Sequence, residues 1–360
     1  MIGSIDRGRT NARRAIARWL TVLGALVVLM IVVGGLTRLT DSGLSITEWA
    51  PIAGALPPFS DAAWEVEFEK YRQIPEYQLQ NAGMTLAEFK VIYWWEWGHR
   101  QLGRIIGLVW AVGFLYFLIR GQIPAGWTRR LLLLGGLGGL QGAIGWWMVS
   151  SGLTGTMLDV ASYRLAIHLG LAFIILGVIG RSIFELGQDA RAVFSHRRVR
   201  DSGLFTLATV FMCFVFIQIL FGALVSGIDA GEAYATWPLM GDGVLPPQML
   251  AFDPWWVNFF ENQGTVQFVH RTWAYVILAL GLYVGLRAAK APQKIVRKAW
   301  ARVGMLLLLM IGIGVATVLL VAPLWIAITH QFVGVLLWLA IVRAHFYTGF
   351  PSDDAIARNA

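Results

Sequence analysis

An all-α integral membrane protein is the fold class this sequence predicts, with eight transmembrane helices arranged as two tandem four-helix bundles related by a pseudo-twofold axis along the membrane normal. Three observations carry that expectation. Of 360 residues, 57% are hydrophobic and only 14% charged, and the mean hydropathy is +0.63, a balance foreign to soluble domains of this size. Eight apolar stretches of spanning length run over about 16–36, 93–119, 130–150, 164–184, 204–226, 266–287, 302–322 and 325–346. Four histidines, His99, His168, His270 and His330, lie in alternate stretches, all near the same end.

Basic residues mark every second connection. Twenty-one of the 29 fall at the N-terminus (Arg7, Arg9, Arg13, Arg14, Arg18), between Arg120 and Arg130, between Arg181 and Arg200, between Arg287 and Arg302, or at Arg343 and Arg358. The opposite face holds the other 8, with 15 of the 21 acidic residues. The positive-inside rule therefore places both termini in the cytoplasm and the histidine end outside. A net charge of +8 then reflects topology and attraction to anionic lipid, with no nucleic-acid partner implied.

Taken in order, the first stretch reads as a retained helix. It ends in VVGGLTRL without a small-residue cleavage site, and further spans follow. No Ser/Arg-rich transit segment precedes it, which points to a bacterial inner membrane. The outer loop 37–92 is long and acidic. Within it Thr85-Leu-Ala-Glu88 forms a capping box, with Met84 and Phe89 placed as a hydrophobic staple. A helix starting near Leu86 thus runs unbroken into the second span, carrying Glu96 and His99 one turn apart on one face. A second outer loop, 227–265, contains Trp237-Pro238, Pro246-Pro247 and Trp255-Trp256.

The halves repeat. His99-Arg100 opens the second span and His270-Arg271 the sixth, while His168 and His330 lie in the first outer turns of the fourth and eighth. With four spans per half, both halves enter the membrane in the same direction, so an inverted repeat is not expected. The natural boundary lies in the connection 185–203, giving an N-terminal bundle over 1–190 and a C-terminal bundle over 191–360, each with a cofactor between facing helices.

An imidazole in hydrocarbon is costly, and facing pairs suggest a ligated metal or haem. Hydrogen bonding to a neighbouring helix explains one such histidine but not four at one depth. Each is followed four residues later by a small residue, Gly103, Ala172, Ala274 or Gly334, read as clearance for a flat porphyrin. A single zinc or copper centre would need all its ligands within a few ångströms, whereas histidines divided between two bundles suit two haem sites. Arg100, Arg104, Arg164 and Arg271 are candidates for haem propionates. Glu96 is either an interfacial charge or, partly buried, a group that relays protons or stabilises positive charge. Its counterpart three residues before His270 is Gln267, so the halves have diverged. His196 and His345 read as solvated or headgroup-facing, and Cys213, the single cysteine, as an inert buried packing residue.

Gly35-Leu-Thr-Arg-Leu-Thr-Asp-Ser-Gly-Leu-Ser, the Pro57-Pro58 stretch leading to Trp64-Glu-Val-Glu-Phe-Glu-Lys-Tyr, Met84-Thr-Leu-Ala-Glu-Phe-Lys and Glu96-Trp-Gly-His-Arg together resemble the haem A synthase family, in its mitochondrial and alphaproteobacterial form. The resemblance spans essentially the whole chain. It implies an enzyme that oxidises the C8 methyl of haem O to a formyl group, giving haem A for cytochrome c oxidase. By that resemblance His99 and His168 hold the substrate haem iron, with Glu96 beside it as a catalytic residue, and His270 and His330 ligate the iron of a haem b cofactor. The implied partners are a haem O synthase and the oxidase assembly pathway, while the electron donor, the oxygen source and the number of assembled chains stay open. One departure is that some bacterial members carry a cysteine pair in the first outer loop, and this chain has none there.

Two rival readings remain at this level. A di-haem b electron-transfer protein linked to quinol needs redox centres near both faces, but all four histidines lie at one. A transporter would show inverted repeats or Pro-broken spans, and neither is evident.

Overall fold

The computed structural model describes residues 2–188 and 196–351, with side chains from residue 11 onward. The expected boundary between residues 190 and 191, together with Arg191 and Arg358, lies outside the described residues. Eight helices are long and apolar enough to cross a membrane. They are α1 (Ile2–Leu39), α4 (Leu86–Ile119), α5 (Thr128–Val149), α6 (Ser162–Leu186), α7 (Ser202–Gly227), α9 (Gln263–Ala289), α10 (Lys294–Leu319) and α11 (Leu324–Gly349). Three short helices, α2 (Asp61–Arg72), α3 (Pro75–Leu79) and α8 (Asn258–Glu261), lie in the two long loops. The chain is all-helical among the described residues, as its composition requires: backbone groups in hydrocarbon must be satisfied within the segment.

Packing closes two rings of four. Helix α1 contacts α4 and α6, and α5 contacts the same two; α7 contacts α9 and α11, and α10 contacts the same two. The rings meet through α1 and α6 on one side and α7 and α11 on the other. Two long-range bonds pin this seam. Gln331 donates to the Ile31 carbonyl at 2.6 Å, and the Trp338 indole donates to the Phe173 carbonyl at 2.9 Å. One continuous buried core runs from Ile16 and Leu20 on α1 through Leu176 on α6 to Phe211 on α7 and Ile341 on α11.

Helix α4 shows how sequence sets architecture. Its capping box forms, with the Glu88 amide donating to Thr85 Oγ1 at 3.3 Å and the Thr85 amide donating to Glu88 Oε2 at 2.8 Å. At 34 residues and 1.5 Å per residue it is about 51 Å long, well beyond a hydrocarbon layer of about 30 Å. The surplus projects from the membrane, where α2 packs against it and α3 against α2. Phe68 stacks on Phe89 at 4.9 Å, and Trp64 meets Tyr93 edge-on at 4.9 Å. This aromatic platform carries the loop 40–60 over the histidine end.

At the opposite, basic end Glu185 bonds Arg181 at 2.9 Å and also Arg130, while Arg13 donates to its carbonyl at 2.8 Å. Two expectations fail here. His345 is only 8% exposed; its Nε2 meets Thr209 Oγ1 at 3.0 Å and its ring lies against Phe205, so α7 shields it from headgroups. Cys213 is exposed on the outside of α7, facing lipid, because the helix turns Phe211 and Val215 inward instead.

Candidate functional site

The α-helical register brings each of the four histidines against a glycine of the preceding span. Gly34 on α1 faces His99, Gly145 on α5 faces His168, Gly222 on α7 faces His270, and Gly314 on α10 faces His330. A Cβ built on these glycines would lie 3.1, 2.9, 3.3 and 3.0 Å from the nearest ring atom, respectively. All are closer than the 3.4 Å at which ordinary contact begins. Four separate helix pairs thus use the smallest residue to seat an imidazole.

The rings of His99 and His168 are near enough to interact electrostatically, as are those of His270 and His330. No cluster of three or more His, Cys, Asp or Glu arranged to hold a metal ion occurs among the described residues. The histidines therefore form two pairs, not one polydentate centre.

What lies one turn behind each glycine differs in a crossed manner. Gln141 and Gln218 each donate an amide hydrogen to the backbone carbonyl of their histidine, His168 and His270, at 3.0 Å. Each amide nitrogen also lies 3.2 Å from Nδ1 and 3.4 Å from Nε2 of that ring. Near-equal contact to both nitrogens cannot be an in-plane hydrogen bond to either, so the ring lone pairs stay available. Behind Gly34 and Gly314 stand Met30 and Met310. Their methyl carbons would lie 3.5 and 3.3 Å from a Cβ on Gly103 and Gly334. Each pair combines one glutamine-backed and one methionine-backed histidine, in reversed order in the two halves. Gly103 and Gly334, read as clearance for a porphyrin, stand beside these methionines, whose flexible thioethers use the room that a glycine leaves.

The residues present fit an iron porphyrin on four grounds. The donors are imidazoles, their surroundings are apolar, a methyl added to a cradling glycine would make the ring give way, and His330 Nδ1 is a buried nitrogen with no partner.

Glu96, only 3% exposed, is gripped completely. Ser45 Oγ and the Ile46 amide donate to its Oε2, both at 2.7 Å. Arg100 donates to its Oε1 through Nε at 3.0 Å and Nη2 at 2.6 Å. Arg100 then reaches the Ile46 and Glu48 carbonyls at 2.7 and 2.9 Å. Four donors, two of them from a guanidinium, thus converge on one buried carboxyl group.

The other candidate arginines also reach backbone. Arg104 donates to Pro51 and Ala50 carbonyls at 2.9 and 3.0 Å. Arg271 donates to Tyr234 and Thr236 carbonyls at 2.6 and 2.8 Å. Arg164 donates to the Trp147 carbonyl at 2.6 Å. In each His-Arg pair the histidine points into the bundle while the arginine holds an outer loop above it.

Arg38 was not singled out as a site residue by the sequence reading. It lies one turn outward of Gly34 and is 9% exposed. Its guanidinium bonds Asp41 at 2.8 Å, Asp229 at 2.9 Å and Asp159 at 3.5 Å, tying the loops after α1, α5 and α7. Asp41 (φ 47) and Asp229 (φ 51) adopt the left-handed conformation, which Asp tolerates better than most residues. Both end a first-span helix with the same backbone bond, Ser42 to the Thr37 carbonyl and Ala230 to the Val225 carbonyl, at 2.9 Å each. Nearby, Glu76 is 3% exposed with Oε2 unpartnered. Burial first, then the Asp159, Asp41 and Glu96 carboxylates, push its pKa up to about 8. Lone polar residues in apolar spans are the signal for Gln141 and Gln218; nothing local marks Asp159 and Asp229 as partners of Arg38.

Comparison with known proteins adds the following. The family described as cytochrome oxidase assembly protein, COX15-CtaA, matches residues 17–342. A heme A synthase of Ruegeria sp. (strain TM1040) is 56% identical over 356 residues, covering 98% of this chain and 93% of the relative. One from Dinoroseobacter shibae is 59% identical, covering 97% and 91%. One from Paracoccus denitrificans is 50% identical, covering 98% and 93%. With nearly its whole length matched, this chain belongs to the COX15-CtaA family of cytochrome oxidase assembly proteins.

Proposed function

We propose that the chain is a haem A synthase, an oxidoreductase that converts the C8 methyl of haem O to the formyl group of haem A for cytochrome c oxidase. The observation that carries the reading is the arrangement of four glycine-cradled histidines as two pairs, only one of which lies beside a gripped carboxylate. His99 and His168 would hold the substrate haem through their imidazoles, and His270 and His330 would hold a haem b.

Bound iron porphyrin supplies the redox chemistry; the chain supplies place, charge and dryness. Gly34 and Gly145 fix the depth at which the imidazoles of His99 and His168 stand. Apolar α1, α4, α5 and α6 enclose the pair and exclude water. Glu96, held by Arg100, Ser45 and the Ile46 amide, fixes a carboxyl group at the outer lip of this half. There it would relay a proton or stabilise positive character developing beside it. Gln267 takes the corresponding place beside His270. Its Nε2 donates to the Gly231 carbonyl at 3.2 Å, so the second half holds its outer loop with a neutral group and suits a resident redox haem.

The basic connections favour an inner-membrane topology with both termini cytoplasmic and the histidine end periplasmic. The matched turns at Asp41 and Asp229 support a pseudo-twofold relation between the halves along the membrane normal. An enzyme that forms haem O upstream and the oxidase downstream follow as partners from the chemistry. The test is haem extraction from purified protein. A stoichiometric haem b with haem O and haem A supports the reading, and two fixed b haems without formyl-haem production refute it.

A further inference from the structure

We propose that the second half carries a binding site for the phosphate headgroup of an anionic phospholipid, at the end of the bundle opposite the histidines. A cavity of about 370 Å³ opens there between the ends of α7, α9, α10 and α11, a size ordinary for small-molecule sites. Arg200, Arg287 and Lys290 line it. Among the described residues no ion pair involves any of the three, and Asp201 is the only carboxylate lining the cavity. Its Oδ1 accepts the Leu204 amide at 3.0 Å as the N-cap of α7, and one carboxylate leaves the three cations in excess.

A fourth source of positive potential is the start of α10. Its N-cap residue, Gln293, lines the cavity and makes no side-chain capping bond, and the first turn contains no acid. A 26-residue helix therefore presents its positive end to the same space as three cations. The first half solves the equivalent problem internally, since Glu185 bonds both Arg130 and Arg181. The second half has no such internal counter-ion among the described residues. The cavity stands at the ends of four spans, level with lipid phosphates, where basic pockets between helices take anionic headgroups.

Native mass spectrometry of the detergent-purified full chain tests this, titrated with phosphatidylglycerol, phosphatidylcholine or inorganic phosphate. One phosphatidylglycerol is expected to bind, phosphatidylcholine is not, and millimolar inorganic phosphate does not displace the lipid. Each cation near an anionic headgroup contributes about fivefold in affinity, so R287Q/K290Q weakens phosphatidylglycerol binding roughly 30-fold. Haem content and haem A production stay unchanged in that variant, and K298Q, whose residue does not line the cavity, binds as wild type.

Equal binding of the two lipids, or an unaltered affinity in R287Q/K290Q, overturns the proposal. Displacement by inorganic phosphate assigns the cavity to the free ion and overturns it equally. So does lipid binding seen only after truncation at Pro351, which assigns the cavity to the chain's own Asp353 and Asp354.

Discussion

Replacing the cradling glycines by alanine, one at a time, probes whether the histidines hold haem at the depth these helices set. On Gly145 a Cβ lies 2.9 Å from His168 Cε1, and ordinary contact begins at 3.4 Å. The ring must therefore withdraw by about half an ångström or the helices must part, an overpacking that costs about 1–3 kcal/mol. The loss falls on ligation, because the gain in helix propensity is common to the loaded and empty protein. Gly145→Ala is thus expected to weaken haem binding in the first half roughly 5- to 150-fold. Gly314→Ala, at 3.0 Å from His330, should do the same to the second site, and Gly222→Ala, at 3.3 Å from His270, less. Gly142, one turn from Gly145, has nothing within 4 Å of an added Cβ, so Gly142→Ala is the internal control. The assay is Soret absorbance per protein across a haem titration. If Gly145→Ala titrates like Gly142→Ala, the cradle does not set the ligand and the reasoning fails.

Glu96→Gln keeps the shape but removes the charge. Haem A formation is expected to fall by about 10²-fold or more while haem b is retained, measured by pyridine hemochrome on extracted haems. Arg38→Gln leaves Asp41, Asp159 and Asp229 facing one another without a cation. Because these carboxylates are partly exposed, the cost is about 1–3 kcal/mol, read as faster hydrogen exchange in residues 40–45 and 228–232. Glu76, with its pKa raised to about 8, binds a proton on folding between its ordinary value near 4.5 and 8, so stability of the outer platform falls as pH rises through that window and levels off above it. Glu76→Gln should flatten this dependence in thermal unfolding monitored by tryptophan fluorescence between pH 5 and 9; a wild-type slope left intact would contradict the assignment.

Much of this was legible in the sequence because membrane-spanning segments obey strict local rules. Hydrocarbon forces long apolar helices, charge asymmetry marks the connections, and Thr85 and Glu88 announce the start of α4 at Leu86, seven residues before its apolar stretch begins at residue 93. The histidines stood out because imidazoles are expensive there. What escaped notice depends on approach between distant segments. Two of the three partners of Arg38 are 121 and 191 residues away, and no spacing relates Asp159 to Asp229. Glycine cradles look like ordinary small-residue packing until the facing ring is known. The small residue four after each histidine is present, and at Gly103 and Gly334 the methyl of a methionine from the neighbouring helix lies beside it. His345 and Cys213 show the same limit: a helical wheel fixes angles within a helix, but its neighbours decide which face is inside.

The central claim is that two histidine pairs hold two chemically different haems. Its most direct measurement is identification of the haems extracted from wild type and from the His99→Ala, His168→Ala, His270→Ala and His330→Ala variants. Loss of haem A with haem b kept is expected for the first two, and loss of haem b for the last two. A colourless wild-type protein from haem-replete cells, or four variants with indistinguishable haem content, would contradict it.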